Sequence, residues 1–139
     1  MILSPAQFVP AVDLELDDEA EVHLFIGTTL VRPTRHDGPL RWGMCRRLGI
    51  DPARVHAIGT LGSVDHFAIA LSDDIDPSSL PDPWQANGLR NWFGVIDDAT
   101  LAIAMRGVQI LEWDRTHRHC GACATATVTV SHERARRCP

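Results

Sequence analysis

The chain has 139 residues and a mass of 15.3 kDa, which fits one domain plus at most a small appended module and excludes a multidomain enzyme within these residues. Hydrophobic residues make up 45% and charged residues 22%, a balance that supports a real core and excludes general disorder, and no apolar run approaches the roughly 20 residues of a membrane span. The formal charge of −5 hides an asymmetry: residues 1–114 hold 8 Arg against 17 acids, net −9, whereas 115–139 hold 5 Arg and one Glu, net +4.

An acidic body argues against a broad nucleic-acid surface, which needs extended basic charge to displace counterions. The first twenty residues show no basic start, apolar stretch and small-residue cleavage site, so a cytoplasmic protein is expected. All thirteen basic residues are Arg, which excludes lysine-based catalysis.

In chain order, residues 21–31 (EVHLFIGTTLV) are β-branched and aromatic and predict a strand or strand pair. The following RPTRHDGPLRW is turn-rich, with Asp37-Gly38-Pro39 as the reversal, and Met44 to Arg47 reads equally as a helical turn or a strand edge. Residues 54–59 and 64–71 are two strand-like runs around Thr60-Leu61-Gly62-Ser63, a hairpin pattern. Residues 72–91 contain three prolines and many turn formers, so an irregular surface connection pinned by Trp84 is expected. A short helix or turn over 88–96 should carry Leu89, Trp92, Phe93 and Ile96 inward. Asp97 and Asp98 then offer an N-cap for a helix whose Leu101, Ala104, Met105, Val108 and Leu111 follow helical spacing. The fold class expected is α+β: a small mixed or antiparallel sheet over about 20–71, then C-terminal helices.

That helix leads directly into the cysteines. Cys120-Gly-Ala-Cys123 is followed, after fourteen intervening residues, by Cys138, and in a chain without secretory features this clustering points to a metal before disulfides. Two thiolates separated by two residues reach adjacent corners of a tetrahedron around one ion, and a second arm after a short β-ribbon closes a structural zinc site. The predicted metal ligands are Cys120, Cys123 and Cys138, a site one ligand short. His132 on the ribbon is the better substitute for the fourth, and His119 adjoins Cys120 too closely. Lacking the fourth ligand, the segment from Cys120 onward is expected to be poorly ordered or held by another molecule. A redox dithiol is the competing reading, although such a site normally precedes its helix rather than following it. Cys45 reads as a small buried apolar residue.

The run from Ile110 to Cys123, with its Leu-x-Trp-x-x-x-His-x-x-Cys-x-x-Cys spacing, followed by Arg136-Arg137-Cys138-Pro139, resembles the NADH pyrophosphatases of the Nudix superfamily. Ala57 to Gly62 and His66 to Ile69 resemble paired strands of the same family's degenerate domain. The resemblance implies a non-catalytic Nudix-like domain over 1–118 and a partial zinc ribbon over 119–139. It further implies a parent protein that hydrolyses NADH or NAD to NMN(H) and AMP. In that parent, zinc is structural and magnesium or manganese catalytic, and a homodimer is possible. Two departures stand out: the family usually has Gly where Ala124 stands, and the Arg-Glu and Glu-Glu pairs of the catalytic Nudix signature are absent from all five glutamates here. No catalytic or dinucleotide-binding residue is therefore assigned, and the chain itself is expected to be inactive. The alternative is a stand-alone zinc-binding or protein-interaction module.

Weaker candidates have simpler readings. The acidic residues Asp13, Glu15, Asp17, Asp18, Glu19 and Glu21 read as a solvated charge run. Ser63, Asp65 and His66 have the types of a nucleophilic triad, but strand alternation sends Asp65 and His66 to opposite faces.

Overall fold

The computed structural model describes residues 7–34 and 38–139. Among them, six strands form one mixed sheet in the order β1-β4-β5-β2-β3-β6: β1 (Phe8–Pro10), β2 (Glu21–Ile26), β3 (Thr29–Pro33), β4 (Arg54–Leu61), β5 (Val64–Ala70) and β6 (Trp84–Gly88). All neighbours are antiparallel except the central pair β2 and β5, which run parallel with Glu21 opposite His66 and His23 opposite Ala68. The short helix α1 (Trp42–Arg47) falls within the crossover between the hairpins β2–β3 and β4–β5, and this settles the Met44–Arg47 segment as helical.

Both faces of the central strands are covered, which is why their sequences read as nearly continuous apolar runs. One face buries Val22, Leu24, Val31, Phe67 and Ile69 against Leu40, Trp42 and Cys45. The other buries Phe25, Leu30, Ile58 and Ala68 against Trp92 and the long helix α2 (Asp98–Thr116). The Asp97 carboxylate accepts from the Thr100 backbone N–H at 2.7 Å and caps α2, as the paired aspartates predict. Leu101, Ala104 and Leu111 are buried, with Met105 and Val108 partly buried beside them.

Two expectations need correction. The connection over 72–91 contains β6, which pairs along β3 from Thr29↔Gly88 to Pro33↔Trp84; an edge strand that offers only Trp84 and Ala86 to the core lacks the nearly continuous apolar run that marks the interior strands. Phe93 is 52% exposed, because a single 3-10 turn (Leu89–Trp92) buries Trp92, whose indole N–H reaches the Leu30 and Asn87 carbonyls, and leaves the next residue facing out. The expected helical packing after the connection is supplied by that turn and α2. Trp84 does pin its segment, packing at the edge of the first core. Asp37 of the expected reversal lies outside the described residues.

Gly59 shows how tightly β1 sits on the sheet. A Cβ there would collide with the Val9 carbonyl and stand 2.9 Å from the Pro10 Cα, backbone atoms that cannot rotate away. Gly59→Ala should therefore lower stability by about 1–3 kcal/mol, read from urea unfolding, with faster amide exchange confined first to residues 8–11.

Candidate metal centre

α2 ends with His117 as its C-cap, and the chain then turns through the Cys120–Cys123 knuckle into a two-stranded ribbon, β7 (Val128–Thr129) paired with β8 (Arg136–Arg137), which delivers Cys138. The three sulfurs lie within 4.8 Å of one another, with Cys123 and Cys138 3.5 Å apart. Thiolates 2.3 Å from a tetrahedral zinc are separated by about 3.8 Å, so the trio is spaced to supply three corners of such a site. The knuckle backbone is set for it: the Ala122 N–H points at the Cys120 sulfur at 3.4 Å, the Ala124 N–H bonds the Cys120 carbonyl, and the Cys120 N–H bonds that of Thr125. Hydrogen bonds from the Thr125 side chain and backbone, with the neighbouring thiols, bring the Cys123 thiol down to about 7 and favour its metal-binding thiolate. Cys45, by contrast, is fully buried and its thiol is pushed up to about 11 by desolvation.

Neither candidate histidine joins the cluster among the described residues. The His132 ring is committed elsewhere, 2.6 Å from the Asp13 carboxylate, which corrects its expected part as substitute ligand. The expectation of a segment that is loose or held from outside is also corrected. The Arg134 guanidinium donates to the carbonyls of Ala11 and Ala57, bridging the ribbon to the strand edge. Arg136 donates to the Asp114 carboxylate at 2.8 Å and to the Thr127 hydroxyl and carbonyl.

Asp114 is the hub. It is 5% exposed on the inner face of α2, three residues beyond Leu111, and its two oxygens meet Arg136, Arg54 at 3.0 Å and His56 at 3.2 Å. Burial alone would raise its pKa, but hydrogen bonds from Arg54 and His56 and the charges of His56 and Arg136 outweigh it and hold the carboxyl below its usual value. Sequence reasoning passed over Asp114; its placement one helical turn after Leu111 was the available signal.

Other sequence candidates are structural. The Asp18 carboxylate is gripped at both oxygens by Arg46, and that of Asp17 accepts the Glu19 and Ala20 N–H groups. Asp65 accepts from the Thr60 hydroxyl, while His66 turns inward and lies 3.0 Å from His23.

Two measurements follow. Asp114→Asn should cost about 2–3 kcal/mol and expose residues 119–139 to protease. Because the native pKa is depressed below 3.8, the wild type's advantage over that variant should be full above this value and shrink as pH falls through the lowered one, read by parallel urea titrations. Ala124 adopts the left-handed conformation, φ 62°, that glycine tolerates and an L side chain resists at about 1 kcal/mol. Ala124→Gly should then tighten zinc binding roughly fivefold in a chelator competition assay.

Among the described residues no helix is long and apolar enough to cross a membrane. Comparison with known proteins places this geometry in context. A family model described as the NADH pyrophosphatase-like rudimentary NUDIX domain matches residues 9–113, and one described as the NADH pyrophosphatase zinc ribbon domain matches residues 115–139. An NAD-capped RNA hydrolase NudC from Deinococcus radiodurans is 39% identical over 85 residues, 61% of this chain and 29% of its own length. Another from Pseudomonas syringae pv. tomato is 31% identical over 100 residues, 72% of this chain and 34% of its own length. The matched part of the chain spans about a third of the length of these relatives. It belongs to the NADH pyrophosphatase family of Nudix proteins, of which it carries the rudimentary Nudix domain and the zinc ribbon.

Proposed function

We propose that this chain is the non-catalytic part of an NAD(H) diphosphatase, residues 1–118 forming the Nudix-like body and 119–139 the zinc-ribbon segment, and that the parent cleaves the pyrophosphate of NADH or NAD into NMN(H) and AMP. The carrying observation is that the family's two accessory modules follow one another along the chain while its relatives are about twice as long. Zinc held by Cys120, Cys123 and Cys138, with a fourth ligand from elsewhere in the parent, supplies a cross-link between knuckle and ribbon. In the parent, magnesium or manganese would neutralise the substrate phosphates and activate water.

The chain's own carboxylates support this division. A Nudix-type cation site needs several acids on one helix face. The long helix α2 carries Asp98, Glu112 and Asp114; Glu112 is paired with Arg115, and Asp114 is enclosed by three basic groups. The body therefore serves as scaffold: it fixes α2, and α2 fixes the ribbon.

The chain incubated with NADH and Mg²⁺ or Mn²⁺ should release no AMP above the metal-only rate by chromatography. Turnover that survives repurification and scales with protein concentration would place catalysis within these residues and overturn the proposal.

A further inference from the structure

The sheet carries a second cluster of metal-type donors, remote in sequence from the cysteines. Glu21 and His66 stand opposite one another on the parallel strands β2 and β5, and His23 follows Glu21 by two residues, so strand alternation puts Glu21 and His23 on one face. The His23 Nε2 and His66 Nδ1 atoms face each other at 3.0 Å, the Glu21 carboxylate lies 3.6 Å from that same Nδ1, and one donor from each residue falls within 4.8 Å of the others. His23 is fully buried, His66 is 3% exposed, and the Glu21 side chain, 13% exposed, forms the mouth.

A hydrogen bond between two neutral imidazoles is the simplest account of the histidine pair, and it leaves something over. The Nδ1 of His23 is buried without a partner among the described residues. If His23 donates through Nε2, Nδ1 is a bare acceptor; if the proton sits on Nδ1, that N–H is a bare donor. Nδ1 stays unpartnered in either tautomer, so nothing on that side opposes placing the proton there, the tautomer that leaves the Nε2 lone pair facing His66 and Glu21.

We propose that Glu21, His23 and His66 form a second metal site that takes a divalent first-row transition ion. Two imidazole nitrogens and one carboxylate are an established ligand set for such ions, with an open position left for water. Donors about 2.0–2.1 Å from a tetrahedral centre are separated by about 3.3 Å, close to the 3.0 and 3.6 Å found here. Coordination through the facing lone pairs would replace one hydrogen bond with three bonds to the ion. Arg32, also buried and charged, acts electrostatically on both Glu21 and His23. Its positive charge disfavours an ion held by charge alone, such as Mg²⁺ or Ca²⁺, and selects one that gains from imidazole bonding.

The full chain, stripped of metal under reducing conditions, would be titrated with Co²⁺ and then Zn²⁺. Wild type should bind one equivalent with thiolate-to-cobalt absorption and a second without it. The second should move the imidazole ¹⁵N signals of His23 and His66. Glu21→Gln, which keeps size and lies at the mouth, should weaken the second equivalent at least about tenfold and leave the thiolate band intact, with far-UV circular dichroism confirming the fold; His66→Asn should abolish it. A chain that binds only the thiolate-ligated equivalent, or whose second equivalent is unchanged in a folded Glu21→Gln protein or leaves the His23 and His66 signals unmoved, overturns the site.

Discussion

The arrangement turns on one carboxylate. Asp114 sits in the last turn of α2, and three basic groups from two other parts of the chain converge on it: Arg54 and His56 from β4, and Arg136 from the ribbon. Each tie alone is an ordinary contact between a carboxylate and a basic side chain. Together they fasten the end of the helix to the sheet and the ribbon to both, because a buried carboxylate leaves its partners nowhere better to go. Arg54 and Arg136 keep part of their side chains in water, 25% and 17% exposed, which limits the desolvation that makes deeper ion pairs expensive.

The helix itself favours this meeting. The carbonyls of its last turn carry a partial negative charge and lack intrahelical donors. Arg54 also reaches the Leu111 carbonyl, the Thr116 hydroxyl that of Glu112, and the His117 ring that of Trp113. The charge asymmetry of the sequence thereby acquires a structural meaning: a segment of net +4 docks on a body of net −9 at the negative end of its longest helix. Charge that first argues only against a broad nucleic-acid surface proves to be internal complementarity, with Arg134 and Arg136 facing the body rather than an outside partner.

What could be read from the sequence follows from how local each signal is. The strands of the two hairpins, the Asp97 cap and the α2 stripe rest on periodicity and capping, which neighbours within a few residues decide. The cysteine trio was legible because ligand spacing is itself local on each arm. β6 was missed because an edge strand pairs on one side only and, with Trp84 and Ala86 alone turned to the core among prolines and turn formers, has no apolar run to announce it. Asp114 and the Glu21, His23 and His66 group were missed for another reason: their meaning lies in contacts across 22 to 60 residues, such as Arg136 and Arg54 to Asp114 and the 43-residue separation of the two histidines. A polar residue on an apolar face looks like a blemish until its distant partner is placed.

The metal and the latch then have separable jobs. Zinc in the proposed site would set the internal shape of the knuckle, since Cys120, Cys123 and Cys138 all belong to the segment after α2, and these three ligands do not reach the body to orient that segment on it. Orientation comes from Arg134 at the edge carbonyls and Arg136 at Asp114. Arg136 makes the two jobs meet: its backbone is part of β8, two residues before Cys138, while its guanidinium binds both Asp114 and the Thr127 segment of the opposite arm. A ribbon drawn into shape by metal thus presents Arg136 correctly to Asp114, and an Arg136 held by Asp114 presents Cys138 correctly to Cys120 and Cys123. Zinc affinity and docking are therefore linked quantities: whatever free energy the latch contributes to ordering the ribbon appears also as metal affinity, by the same thermodynamic cycle read in the other direction.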